Sequence, residues 1–347
     1  MYQSSELEVW NLAPGIKTIT GAQQIFNIVG SLKSPEKVKR FTYSLNDCKE
    51  KQIFFNSTES QLGRLQNRGD FNIDTINTSD LHSENHLILR IIDHENNIKE
   101  YIIDFPCFVN DSTVPDFRLD FEGVSHPQEV GQVVDGKWQL SRDELGKRCL
   151  EIKKEDAGYD RIIVFGHHDW TSAYEITARM CVTGWSHPYH NVGLVFKWNH
   201  HLQGDGTYLP AHWSTGLGYY YSHSPGLRIR FGTDVHIDNR GKKVGDYLLG
   251  ESPYSHLRRW VGEKRKKFLP KKDIFSQLVP GKLYCFRMLV HPAKYALTVW
   301  EQNKREPIPQ IIVSEPIERL PMGATGIIAY HCGVRVYEFN VSQEDLV

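Results

Sequence analysis

The chain reads as all-β, with two sandwiches in succession. Three observations carry this. Apolar and aromatic residues alternate with polar ones over short runs. Turn signals rich in Gly, Pro, Asn and Asp separate the runs. No segment shows the 3.6-residue periodicity of a long amphipathic helix. The 347 residues are enough for two domains of ordinary size.

Residues 1–108 supply the first sandwich. QQIFNIVGSL, KRFTYSL, KQIFFN, HLILRIID and KEYIIDF are rich in Ile, Phe, Tyr and Leu, the residues that fit a pleated surface. SPEK, LND, NRGD and DHENN bound them, and DHENN between two runs predicts a hairpin. RGD at Arg68 to Asp70 is ordinary turn chemistry on this reading. Residues 109–137 are polar with scattered Pro and Gly, and are expected to be a linker in which DFRLDF could add a strand. Residues 138–347 form the second sandwich. Its strand candidates include LEIKK, DRIIVFG, AYEITARMCVTGW, VGLVFKW, LGYYYSH, LRIRFGTDV, KLYCFRMLVHP, YALTVWEQN, TGIIAYHC and VRVYEFNVS. About ten strands suit a two-sheet jelly roll better than a small sandwich.

The order DWTSAYEITARMCVTG, NVGLVFKW, PGKLYCFRMLV, YALTVWEQN and GATGIIAYHCGVRVYEFNV resembles a concanavalin A-like (laminin-G-like) jelly roll. The resemblance covers roughly residues 140–343. NIVGSL, FTYSLND and RGDFNIDT resemble an immunoglobulin-like module of the kind that precedes such jelly rolls in bacterial proteins. The expected fold is therefore an immunoglobulin-like sandwich followed by a concanavalin A-like jelly roll. The resemblance implies a ligand on the concave sheet. It does not choose among lectins, hydrolases, lyases and adhesion modules, which share the fold.

Alternation gives several strands an apolar face and a face with a cation. If the polar faces share one sheet, Glu175, Arg179, Lys197, Arg228, Arg230 and Arg287 make a floor. Such a floor suits an anionic ligand, because a guanidinium forks onto carboxylate, sulfate or phosphate oxygens. The bland reading is a solvated sandwich face. Trp185, Trp213 and Tyr220 sit among loops and are candidates to stack on a pyranose ring. Trp198 is expected in the core, on the same side of its strand as Leu194 and Phe196.

HPYHNVGLVFKWNHH, residues 187–201, carries two pairs of histidines at opposite ends of one strand. One ion cannot hold both pairs, and neither HExxH nor CxxC occurs, so no metal site is expected. The His187 to His190 end, which continues from Trp185, is the one expected to face a site. The laminarinase-like pattern of paired carboxylates on one strand is absent, which disfavours a retaining glycosidase. A jelly-roll polysaccharide lyase would need Tyr or His for proton transfer and Arg against a uronate carboxylate. His190, Tyr330, His331 and Arg287 are the candidates of those types.

Net charge is −1, so no global field recruits nucleic acid or a membrane. RRWVGEKRKKFLPKK carries eight cations against one anion and reads as a solvated loop. Asp205, Asp234 and Asp238 lie in Gly-containing loops and could bind calcium, but no EF-hand loop supports this and no cofactor is expected. The six cysteines are widely spaced, which suits free thiols in a reducing compartment. The first residues show no signal-peptide pattern, so a cytoplasmic address is expected. The leading functional expectation is recognition of a glycan, anionic ones included. The alternative is an enzyme in the same cleft, such as a polysaccharide lyase or a small-metabolite cyclase.

Overall fold

The computed structural model describes residues 1–13, 15–56, 65, 67–108, 115–158, 161–170, 173–186, 190–198, 227–233, 247–251, 278–291, 294–309, 311–314 and 323–343. Within these residues the chain is all-β, with single-turn helices only. LGYYYSH and the basic run at 258–272 lie outside them.

The first sandwich has eight strands: β1 (Tyr2–Gln3), β2 (Leu7–Val9), β3 (Ile25–Leu32), β4 (Val38–Leu45), β5 (Lys51–Gln52), β6 (Asp70–Asn77), β7 (Glu84–Asp93) and β8 (Ile98–Pro106). They form two sheets, ordered β1-β2-β3-β6 and β5-β4-β7-β8. Phe26, Ile28, Phe41, Phe71, Leu87, Leu89 and Phe105 are buried between them. The alternation in ENHLILRIID explains this, since Leu87, Leu89 and Ile91 share the inward face. The expected hairpin joins β7 to β8. Asn96 adopts φ 68° and the Asp93 carboxylate accepts the Glu95 and Asn97 N–H groups. The RGD stretch is a turn: Gly69 sits at φ 92°, and Asp70 is buried at the start of β6.

The second sandwich begins earlier than the sequence implied. Its strands are β9 (Phe117–Leu119), β10 (Gln132–Val133), β11 (Gln139–Arg142), β12 (Arg148–Ile152), β13 (Arg161–Phe165), β14 (Tyr174–Trp185), β15 (His190–Trp198), β16 (Leu227–Thr233), β17 (Tyr247–Glu251), β18 (Leu283–His291), β19 (Lys294–Glu301), β20 (Ile311–Ser314), β21 (Ala324–Tyr330) and β22 (Cys332–Gln343). One sheet runs β10-β13-β21-β15-β16-β17. The other runs β11-β12-β22-β14-β18-β19-β20, with β9 also on β22. Ile176, Ala178, Met180, Phe286 and Met288 of the larger sheet pack with Ile163, Phe165, Leu194, Phe196 and Ile327 of the smaller.

Two expectations need correction here. Residues 109–137 were expected to be a linker, yet β9 and β10 pair with strands of the second sandwich and Phe121 and Val133 join its core. Polar composition did not reveal these short edge strands, because one buried aromatic can anchor an otherwise polar segment. Trp198 is buried, but with Val195, Ile162 and Val164 rather than with Leu194 and Phe196. The pairing of β15 with β21 slips between Val195 and Trp198, and such an irregularity shifts the following side chain to the other face.

The two sandwiches meet at a buried polar seam. Asn72 donates to the Val134 carbonyl at 2.8 Å and to the Asp135 carboxylate at 2.9 Å. Its own oxygen accepts from Asn27 at 2.9 Å. Gln132 donates to Asn27 at 2.8 Å and to the Ile25 carbonyl at 2.7 Å.

Candidate functional site

Across the larger sheet, alternation sends Ile176, Ala178 and Met180 inward and Glu175, Thr177 and Arg179 outward. The antiparallel register then lines up two outward rows across four strands. Asn340, Thr177, Arg287 and Thr298 make one row. Glu338, Arg179, Cys285 and Trp300 make the next, two residues along. Glu175, Gln302 and Glu306 complete a groove of about 340 Å³ on this face.

The groove's charges are paired. Arg287 donates to Glu175 at 2.7 Å and to Glu306 at 3.1 Å. Arg179 pairs with Glu338, which also lies 3.7 Å from Lys147. The hydrogen bond to Glu175 is the largest influence on Arg287 and holds its pKa above the ordinary guanidinium value. Burial pushes the Cys285 thiol up, which argues against a thiolate nucleophile. Asn340 donates to Thr177 at 3.3 Å. The Arg179 Nε–H is buried and has no hydrogen-bond partner among the described residues. Trp300 stands half-buried at the end of its row.

The single cationic floor does not form. Glu175, Arg179 and Arg287 lie on β14 and β18 of the larger sheet, whereas Lys197, Arg228 and Arg230 belong to β15 and β16 of the smaller. The side chains of Lys197, Arg228 and Arg230 lie outside the described ones, as do Trp213, Tyr220, Asp205, Asp234 and Asp238 entirely. The free cations that favoured an anionic ligand are not present in the groove, because two guanidiniums there face three carboxylates.

The candidate catalytic set is also divided. Asn191 pairs with Tyr330, so the backbone of His190, Tyr330 and His331 meets at one corner, and Trp185 pairs with Cys332 there. His331 is buried at φ 51° and its N–H donates to the Gly158 carbonyl at 2.7 Å. The Tyr330 ring meets it edge-on at 4.4 Å. Arg287 pairs with Thr177, eight residues from Trp185 along β14. At about 3.3 Å per residue that is roughly 25 Å away. One substrate carboxylate cannot meet Arg287 and His331 together. The His190 side chain lies outside the described ones. Sequence reading missed Trp300, Glu306, Glu338 and Asn340. Only the last two carry a signal, as outward positions of VRVYEFNVS.

The site thus belongs to an all-β protein with an open polar groove on one sheet of a two-sheet sandwich. No protein-family model matches the chain. No curated protein matches it either. Solved structures of similar shape include the exoplasmic/lumenal domain of VIP36 in its Ca2+-bound form, at 13% identity and TM-score 0.43, covering 68% of this chain and 90% of that one. Lectin II from Ulex europaeus is similar at 10% identity and TM-score 0.41, covering 66% and 98%. A Bacillus subtilis protein of unknown function with a galectin-like fold is similar at 12% identity and TM-score 0.39, covering 66% and 96%. Nothing about ligand or activity follows from likeness at this level.

Proposed function

We propose that this protein recognises a carbohydrate, and that a neutral glycan segment lies in the outer groove of the larger sheet. The observation that carries this is the row Glu338, Arg179, Cys285, Trp300 beside the row Asn340, Thr177, Arg287. An aromatic ring stacks on the apolar face of a pyranose, and side chains beside it orient the hydroxyls. Hydroxyl groups both donate and accept, so they suit a mixed set of carboxylates, guanidiniums and amides. The near balance of charge argues against a polyanion. The enzyme alternative loses its proposed constellation with the separation of Arg287 from His331.

Two further parts belong to the same proposal. The first sandwich is immunoglobulin-like, supported by strand order, since β4 and β7 sit in one sheet while β3 and β6 sit in the other. The compartment is reducing, supported by six free cysteines, one of them the exposed Cys48.

The test is calorimetry of the full chain against neutral and uronic-acid oligosaccharides, with and without calcium, beside assays for reducing ends and unsaturated products. Saturable binding of a neutral glycan, weakened about tenfold in Trp300→Ala and without product, is the expected result. Binding of wild-type strength in Trp300→Ala would move the site elsewhere. Product formation would replace recognition by catalysis.

A further inference from the structure

We propose that His167, His168 and Asp169 form a binding site for a divalent transition-metal ion of the zinc class, at the seam between the two sandwiches. In an extended strand three consecutive side chains point to alternate faces. Here they converge, because the chain turns directly after β13. Gly166 adopts φ 78°, and a Cβ there would lie 2.1 Å from the Trp170 indole, so the turn requires glycine. The Trp170 N–H closes the turn on the His167 carbonyl at 3.3 Å.

One donor atom from each of the three residues lies within 4.8 Å of the others, the one such group among the described residues. His168 Nε2 is 3.3 Å from Asp169 Oδ1. His167 Nδ1 is 3.9 Å from Asp169 Oδ2. Zinc bonds of about 2.0–2.1 Å to nitrogen and oxygen at tetrahedral angles put ligand atoms about 3.3 Å apart. The His168–Asp169 pair already has that spacing, and His167, whose donor atom lies within 4.8 Å of both, needs a side-chain rotation to reach it.

The orientation of His168 is the second line of argument. Its Nδ1 lies 2.9 Å from the Ala22 carbonyl, which can only accept, so Nδ1 carries the proton. In the neutral ring Nε2 then presents a lone pair to a carboxylate oxygen. As an imidazolium the ring instead donates Nε2–H to that oxygen, and a bound cation takes the position of this proton. An imidazole that donates one N–H to a backbone carbonyl while its other nitrogen takes the metal is the usual outer-shell pattern of metal-binding histidines. His167 Nδ1 accepts the Asp169 N–H at 3.1 Å, which marks that nitrogen as unprotonated. Coordination exchanges this bond for the ion. Two imidazoles and a carboxylate select zinc, cobalt or nickel over magnesium and calcium, which prefer oxygen. The Asp169 side chain is 42% exposed, so the ion can enter from solvent and keep a water.

The site has a structural consequence. Ala22 belongs to the first sandwich, and its carbonyl also accepts the His168 N–H at 3.1 Å. Gln23 donates to the Gly166 carbonyl at 2.7 Å. Fixing the His168 ring by an ion therefore fastens one sandwich to the other.

The experiment titrates chelator-stripped full-length protein with Co2+, read by its visible absorption, then competes with Zn2+ and follows Tm. The expected result is one equivalent of tetrahedral Co2+, displaced by Zn2+, with Tm rising with ion concentration. Asp169→Asn, which keeps shape on an exposed side chain, and His168→Ala should each weaken binding at least about tenfold. Asp169→Asn should leave the metal-free Tm unchanged, which separates lost ligation from misfolding. Absence of stoichiometric binding, or binding of wild-type strength in both variants, overturns the proposal. The first would leave His168 and Asp169 as an ion pair, and the second would place the ion at other donors.

Discussion

The seam and the groove are both polar, yet they are built in opposite ways. The seam uses mainly amides buried between sheets: the side-chain N–H groups of Asn27, Asn72 and Gln132 donate to one another's oxygens, to the Asp135 carboxylate and to the backbone of both sandwiches. The groove uses full charges in partial contact with solvent, paired as Arg287 with Glu175 and Glu306 and Arg179 with Glu338. Buried amides are costly to leave unpaired, so each hydrogen bond of the seam is expensive to break. Exposed ion pairs are worth little, so a ligand can replace them at small cost. The seam's hydrogen bonds are therefore costly to lose, and the groove's ion pairs are the ones displaced at least cost.

The largest effect expected is at the seam. Asn72→Ala leaves Asn27, the Val134 carbonyl and Asp135 short of a partner, and should lower unfolding free energy by about 3 kcal/mol. Urea denaturation reads this, and a loss below about 0.5 kcal/mol would put the seam in the class of ordinary surface sites. A pH effect of similar size follows from Asp70. Burial, opposed by Arg161, raises its carboxyl from 3.8 to about 6. The folded state then holds the proton more tightly than the unfolded chain. Its contribution is greatest below pH 4 and is lost as pH rises through 6, by up to about 3 kcal/mol. Unfolding measured from pH 4 to 8 for wild type and Asp70→Asn should show that slope in the wild type alone.

Effects at the groove should be smaller and different in kind. Trp300→Ala should reduce glycan affinity about tenfold with little change in stability. Calorimetry beside a melting curve separates the two. Glu175→Gln is the mildest: loss of a half-exposed pair should change stability by less than about 1 kcal/mol. A much larger loss would mean that the groove is held as tightly as the seam, and would erase the contrast.

Much of the fold was legible locally. ENHLILRIID and AYEITARMCV announce their inward faces by alternation, and DHENN announces its hairpin. Half of the groove was legible in the same way, since Glu175, Arg179 and Arg287 are the outward positions of their strands. Trp300 was hidden because nothing in YALTVWEQN tells which strand lies beside it. The linker expectation failed at Phe121, where one buried ring anchors a polar segment. The spacing rules that disfavoured a metal describe helices and paired cysteines. HHD has no such signature, because a turn rather than a repeat gathers it.

By itself the sequence determined the all-β class, the pleat of each strand and the residue types available for chemistry. These follow from a period of two and from turn residues, both local properties. The tertiary structure alone decided that β14 and β18 share one sheet while β15 and β16 share the other. That partition joined Arg179 to Arg287, parted both from Lys197, Arg228 and Arg230, and set His331 a strand's length away. Strand order depends on pairings distant in sequence, which alternation within a strand does not encode.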